Sequence, residues 1–523
     1  MRRIAIIDVG SNTAKLVDFA YEPGRSYRQV DELRTVVRLS QGMGDAGLLR
    51  SEPFERGLSA LRTFASYCRA TEVDDVVATA TSAVRAASNG ERFVAAVLEH
   101  TGIDLRVLSG EEEARTGALA AANAFSTGEA VVLDVGGGSV QLSRLAHRRF
   151  AAGASWPLGA VRSTETVLRG DPPKAKSVKA LAAAAKSAFV PWFDSHVGDG
   201  PLPMIGMGGT LRNLANVEQA RSSYPLDLLH GYRLSRDALA SLTEELLSLS
   251  AAKRADLPGL NRDRADIIAA GAVVIGEALA ASGTDAIDVS GQGLREGLLY
   301  PYLVPGGEHL LDDVKAFSIR NLMRQYHDHS AHNEHVRALA WRLFDALASV
   351  DSLASAHALD SDARALLGHA ALVHDIGMAV DYYRHEHHGF RLAIGRALPG
   401  FTHREQVMVA LLVRNHRKGQ IDDGGLGSLL ADGDMETVKV LSGLLRVAEY
   451  LDRGKAQRIT SLLVHVGDGV VQIEAQADGD ARVEVHAAKL RADLLAAALT
   501  IDVEVVAGTS ETTTHRATGE ASG

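Results

Sequence analysis

The chain has 523 residues, 46% hydrophobic and 23% charged, a formal net charge of −10 and a single cysteine, Cys68. That balance excludes a disordered chain and, at ~150 residues per domain, predicts roughly three or four domains. A lone thiol excludes an intrachain disulfide, and the acidic excess argues against nucleic acid as a partner, so any polyanion must be held by local basic clusters or by metal. Met1-Arg2-Arg3 is followed by only Ile4-Ala-Ile-Ile7 before Asp8. This is too short for a secretory leader, and no stretch approaches the ~20 apolar residues of a membrane span. A cytoplasmic location with no membrane partner is expected.

Strands are predicted at Arg3–Ile7, Lys15–Tyr21 and Arg28–Leu39, followed by a helix over Glu52–Arg69 with apolar residues at helical spacing. Asp75–Ala80 reads as a strand and ends in Thr79-Ala-Thr-Ser-Ala-Val-Arg85; Leu105–Leu108 leads through Ser109-Gly110 into a helix over Glu111–Phe125. At Ala130 the order restarts with a strand, a glycine turn, a strand at Val140–Ala146 and a helix over Lys174–Phe189. Met204-Ile-Gly-Met-Gly-Gly-Thr210 is a third strand-to-glycine turn, and Gly206 reads as a tight strand–helix connection.

Composition changes near Tyr302-Leu-Val-Pro-Gly-Gly307, a linker signal. Val314 to about Arg453 has helical periodicity throughout. Ser461–Val466, Val470–Gln476 and Arg482–His486 alternate with period two, predicting a small antiparallel sheet with a helix over Ala487–Leu499 against it. The Gly/Ser/Thr-rich tail from Gly508 is expected to be disordered. The predicted segments are 1–127, 128–305, 314–456, 457–507 and 508–523.

Two glycine turns carry the chemistry. Ala130-Val-Val-Leu133 runs into Asp134-Val-Gly-Gly-Gly-Ser139, and Ile4-Ala-Ile-Ile7 runs into Asp8-Val-Gly-Ser-Asn12. Glycines let successive backbone N–H groups converge on phosphate oxygens, and a strand-end aspartate can hold a divalent cation. The two aspartates lie 126 residues apart (134 − 8), which predicts two similar half-domains facing one cleft.

With Ala80-Thr-Ser-Ala-Val-Arg-Ala86, Ser109-Gly-Glu-Glu-Glu-Ala114, Gly206-Met-Gly-Gly-Thr-Leu-Arg-Asn-Leu214 and Gly293-Leu-Arg-Glu-Gly297, these turns stand in an order that resembles the exopolyphosphatase / guanosine pentaphosphate phosphatase family. The resemblance is strong to about residue 300. It implies an α/β fold of duplicated actin/sugar-kinase-like (RNase H-like) domains around a cleft, then an all-α HD-like domain and a small α+β domain. It also implies the activity: release of orthophosphate from inorganic polyphosphate, or removal of the 5′ γ-phosphate of guanosine pentaphosphate, with tetraphosphate as a related ligand. A kinase run in reverse, a non-catalytic polyphosphate or alarmone sensor, and metal-dependent hydrolysis at a second, HD-type site are further readings.

In that frame the resemblance makes Glu113 the general base that activates water, with Glu112 as its alternative, and Arg85 the clamp on developing charge. By charge alone, Glu111–Glu113 are better read as first-turn carboxylates opposing the helix dipole, and only the resemblance makes Glu113 catalytic. Asp134, with Asp8, would hold Mg²⁺ (or Mn²⁺). Ser11, Asn12, Thr13, Gly136, Gly137, Gly138, Ser139, Gly208, Gly209 and Thr210 would contact phosphate. Arg295, between two glycines, suits a structural or a functional role equally.

In the helical region, His335, His374-Asp375 and Asp452 follow the ligand order of HD-type phosphohydrolases, a possible second metal site; many members of the family keep only a degraded version. Arg384, His385, His387, His388, Arg414, His416, Arg417, Lys418, Arg453, Lys455 and Arg458 are candidates for a basic channel guiding a long phosphate chain. A homodimer, lengthening that channel, is implied by the resemblance.

Overall fold

The structure is a computed structural model and describes residues 1–43, 47–198, 200–326, 330–467 and 469–508. The tail expected to be disordered lies, from residue 509, outside the described residues. The chain forms two compact units. One comprises Met1–Asn321 with Gly395–His403; the other comprises Leu322–Ile394 and the chain from Arg404.

The first unit contains two sheets. The first is ordered β3-β2-β1-β4-β5, with β1 Arg2–Val9, β2 Thr13–Glu22, β3 Ser26–Val36, β4 Asp75–Ala80 and β5 Leu105–Val107. β1, β2 and β3 run antiparallel, while β4 and β5 continue parallel to β1. The second is ordered β10-β11-β9-β6-β7-β8, with β6 Ala130–Val135, β7 Val140–Ala146, β8 Arg149–Trp156, β9 Met204–Met207, β10 Arg233–Ser235 and β11 Ala286–Val289.

The duplication expected from the glycine turns holds to the residue. Asp8 pairs with Lys15 across β1–β2, and Asp134 pairs with Gln141 across β6–β7. Gly10 N–H donates to the Thr13 carbonyl at 3.0 Å, and Gly136 N–H donates to the Ser139 carbonyl at 3.0 Å. The central strands are apolar on both faces: Ile4, Ile6 and Ile7 are fully buried, as is Leu133. That is the pattern of strands covered by helices on each side.

Two differences from the sequence expectations concern the site. β3 ends at Val36, because Val37 and Arg38 N–H both turn to the Asn12 carbonyl (3.0 and 2.9 Å), with Arg38 at φ 44°. β8 was not expected. Its hairpin turns through His147 and Arg148, both at positive φ without a glycine, so the usual turn signal is missing.

The second unit is helical, with a sheet ordered β12-β13-β14 (Ile459–Gly467, Val470–Ala477, Asp502–Ala507). Three expectations fail here. Arg482–His486 is not a strand but part of a helix, Arg482–Lys489, whose buried positions Glu484 and Ala488 are one turn apart while Val483 is exposed. The third strand is instead β14, parallel to β13, so the sheet is mixed. The expected helix Ala487–Leu499 is divided, its second part being Asp493–Leu499.

Candidate active site

The two glycine turns of the first unit meet. A Cβ on Gly137 would lie 3.1 Å from Ser11 Cβ and 3.3 Å from Asn12 N; one on Gly138 would lie 2.4 Å from Ser82 Oγ and 2.6 Å from Ser11 Oγ. Only glycine permits this approach. Behind the turns, Gly159 packs so closely that a Cβ would fall 2.5 Å from the Gly137 and Gly138 backbone.

A cleft of ≈ 300 Å³ opens beside them, lined by Asp8, Ser11, Asn12, Thr13, Glu113, Asp134, Gly136, Gly137, Ser139, Gly208 and Gly209. Gly138 instead faces the neighbouring cavity with Arg162 and Glu165. Thr210 is 1% exposed, packed near Gly271, and does not line the cleft. Gly208 adopts φ 95°, and a Cβ there would meet Asp134 Oδ1 at 2.7 Å.

The helix Gly110–Ala122 separates the two candidate glutamates. Ser109 caps it: Glu112 N–H donates to Ser109 Oγ (3.1 Å), and Ser109 N–H donates to Glu112 Oε2 (2.8 Å). Glu112 is thereby engaged at the exposed helix start. Glu113, one residue on, is buried and turned to the cleft. Burial pushes its carboxyl up to about 7; Arg85 opposes that, and nearby Asp134 adds to it.

Arg85 is placed differently from expectation. It does not line the cleft; its Nη1 donates to Glu113 Oε2 at 3.1 Å and to the Leu108 carbonyl at 2.6 Å. The helix Ser82–Arg85 follows β4 directly, which sets the guanidinium against the glutamate.

Asp8 and Asp134 lie at the ends of equivalent strands, one in each sheet. Burial raises both, Asp134 to about 6, and Asp8 adds to the shift of Asp134. Neither carboxylate takes a hydrogen bond or ion pair from another described residue. Two hard oxygen donors sharing a cleft, with no hydrogen bond or ion pair from a described residue, suit a divalent cation.

The cleft also holds cations that the sequence reading passed over: Lys15, Arg34, Arg212 and Arg264, along with Arg295. Lys15 Nζ donates to Glu32 Oε1 at 2.8 Å, and Arg295 Nη1 lies 3.5 Å from Glu32 Oε2, so one carboxylate serves two cations. Among the described residues, Arg212 donates only to the Ser290 and Gly291 carbonyls. Arg264 lies against Gly209, where a Cβ would stand 2.3 Å from its Nη2, and burial lowers it to about 10. A signal existed in Lys15, a lysine on a strand between buried Ala14 and Leu16. Nothing local marks Arg34 or Arg264.

The second unit contains a separate cluster. His332, rather than the expected His335, joins His374 and Asp375 as a group able to hold a metal; Asp375, His385 and His416 form another. His335 lies on the same helix, Ser330–Ala348, but in neither group. His416 is fully buried and so is no channel residue; His385 is 5% exposed. Among the other channel candidates, Arg414 pairs with Asp422 at 2.6 Å and Arg417 with Glu386 at 3.1 Å, which neutralises both. Lys455 Nζ lies 2.5 Å from Asp375 Oδ2, and Arg453 Nη1 lies 4.0 Å from Glu449 Oε1. Arg384 and Lys418 are exposed and His388 is half-buried.

Residues 21–304 match the Ppx/GppA phosphatase family, and residues 314–494 match Ppx/GppA phosphatase, domain III. The chain belongs to the Ppx/GppA phosphatase family. It is 27% identical over 417 residues to a guanosine-5′-triphosphate,3′-diphosphate pyrophosphatase of Vibrio atlanticus, covering 79% of this chain and 80% of that one. It is 30% identical over 312 residues to exopolyphosphatase 1 of Mycobacterium tuberculosis, covering 57% of this chain and 87% of the relative. The crystal structure of an exopolyphosphatase from Cytophaga hutchinsonii superposes with a TM-score of 0.55 at 26% identity, over 58% of this chain and 98% of that one. The Ppx/GppA chain is thus a phosphatase acting on phosphoanhydrides, and members of its family use divalent metals. No described helix is long and apolar enough to cross a membrane.

Proposed function

We propose that this phosphatase is an exopolyphosphatase that hydrolyses the terminal phosphoryl group of inorganic polyphosphate in the cytoplasm, acting as a homodimer. The observation that carries the reading is the convergence of both glycine turns, Asp8, Asp134 and Glu113 on one cleft whose wall continues into Lys15, Arg34, Arg212, Arg264 and Arg295. Backbone N–H groups of the turns, with Ser11, Asn12, Thr13 and Ser139, hold the terminal phosphoryl group. Asp8 and Asp134 would hold Mg²⁺, which when bound would neutralise phosphoryl oxygens. Glu113 takes a proton from water as the water oxygen attacks phosphorus; the anhydride P–O bond breaks, and the shortened chain leaves with its charge held by the cationic wall. Arg85 keeps Glu113 aimed.

A second reading is guanosine pentaphosphate 5′-phosphohydrolase. It is favoured by the longer alignment with the Vibrio atlanticus enzyme and by Leu229, Asn213, Asn216, Asn261 and Leu294, which line the same cleft. The reacting group is the same in both. Side-by-side kcat/KM for long polyphosphate and the nucleotide decides: a preference for the nucleotide overturns the first reading. Loss of neither activity in Glu113→Gln removes Glu113 as the base under both readings.

A further inference from the structure

In the second unit, three histidines share one bonding pattern. Each Nδ1 contacts the backbone carbonyl three residues earlier: His374 to Ala371 at 2.8 Å, His385 to Tyr382 at 2.9 Å, His416 to Val413 at 2.6 Å. A carbonyl only accepts, so each Nδ1 carries the hydrogen, and in the neutral ring each Nε2 presents a lone pair. Those lone pairs converge. His385 Nε2 and His416 Nε2 are 3.1 Å apart. Asp375 Oδ1 lies 3.2, 3.6 and 3.9 Å from the Nε2 atoms of His385, His374 and His416. Acceptors facing acceptors at this distance repel unless a cation lies among them.

The spacing fits a metal. Ligands about 2.1 Å from a tetrahedral or octahedral ion stand about 3.0–3.4 Å from one another. His332 Nε2 and His374 Nε2 are each 3.0 Å from Glu449 Oε2, and His332 Nε2 is 3.8 Å from Asp375 Oδ2. His332 Nδ1 meets Asp452 Oδ2 at 2.8 Å, and the other oxygen, Oδ1, accepts from Gln457 N–H at 2.7 Å. That is the carboxylate behind a ligating imidazole, which orients the ring and raises its basicity.

We propose that this cluster holds two divalent first-row transition-metal ions bridged by Asp375, one bound by His332, His374 and Glu449, the other by His385 and His416. Mixed imidazole and carboxylate donors suit Mn²⁺, Fe²⁺ or Zn²⁺ over Mg²⁺. Asp452 is then a positioning residue, and His335 has no part. The competing arrangement is metal-free: Lys455, at Asp375 Oδ2, together with protonated imidazoles would balance the carboxylates.

The test uses the full chain, stripped with a chelator, reloaded with Mn²⁺ and desalted in excess Mg²⁺, with metal counted by mass spectrometry. About two retained Mn²⁺ per chain are expected, with an exchange-coupled electron paramagnetic resonance signal; His416→Gln should retain about one, with an uncoupled six-line signal. His335→Gln and Asp134→Asn should each retain two. Thermal melting identifies a misfolded variant, and His385→Gln then replaces His416→Gln. Wild-type protein retaining fewer than two ions, an uncoupled signal from wild type, or two ions surviving His416→Gln or His385→Gln overturns the proposal.

Discussion

Arg85 Nη1 lies 3.1 Å from Glu113 Oε2 and 2.6 Å from the Leu108 carbonyl oxygen, so one guanidinium joins the carboxylate in the cleft to the backbone just ahead of its helix. The pairing fixes the glutamate's direction and also limits how far burial can raise its proton affinity. Both consequences are measurable.

Glu113→Gln keeps the side chain's size and removes the base. Phosphate release from polyphosphate should fall by roughly 10²–10⁴-fold while filter-binding affinity for the chain changes little. Turnover within a few-fold of wild type would remove Glu113 from the mechanism.

Glu113 should also set the acid limb of the rate profile. Its carboxyl is raised to about 7, chiefly by burial, so kcat/KM should climb with pH through that value as the base ionises. Stability moves the opposite way. The folded state binds this proton more tightly than the unfolded chain, so the stabilisation is complete below the ordinary value of 4.5 and is lost as pH rises through about 7. The loss is roughly 3 kcal/mol at most. Because Gln does not ionise, the Tm of Glu113→Gln relative to wild type should increase between pH 5 and pH 8. A constant difference would show that Glu113 does not titrate there.

Arg85→Gln removes the cation that lowers Glu113. The acid limb should move to higher pH, so activity falls more at pH 6 than at pH 9, and the full-plateau rate drops less. A uniform loss at every pH would mean that Arg85 acts on substrate and not through Glu113.

Asp134→Asn should raise the Mg²⁺ concentration needed for half-maximal rate and lower the maximal rate as well, since it removes one of two cleft carboxylates that no described residue hydrogen-bonds or ion-pairs. Because burial and Asp8 hold Asp134 up at about 6, the wild-type requirement for Mg²⁺ should also grow as pH falls below that value. Metal titrations at pH 5.5 and 8 check both.

Arg212→Ala removes a half-buried cation whose hydrogen bonds, among the described residues, are to backbone carbonyls. KM for long polyphosphate should increase at least tenfold, about 1.4 kcal/mol, and its salt dependence should weaken. An unchanged KM would place the chain elsewhere in the cleft.

The repeated strand, glycine turn and strand were legible because they depend on near neighbours. An apolar run, a glycine that alone tolerates close backbone approach and an aspartate at the strand end lie within a dozen residues, and Asp8↔Lys15 and Asp134↔Gln141 reproduce the repeat in register. Arg482–His486 misled because alternating apolar residues fit a strand locally, whereas burial of Glu484 and Ala488 selected a helix. Choices between neighbours lay beyond the sequence. Glu112 and Glu113 differ by about 100° around a helix, and capping by Ser109 together with the helix's docking decides which faces the cleft. His332 and His335 lie nearly on one face, so only the burial of Val336, Leu339 and Ala340 sets the helix phase that brings His332 to Asp375. The cations were least visible. Lys15, Arg212 and Arg264 come from distant segments, and their convergence is a property of packed sheets and helices rather than of any stretch of chain.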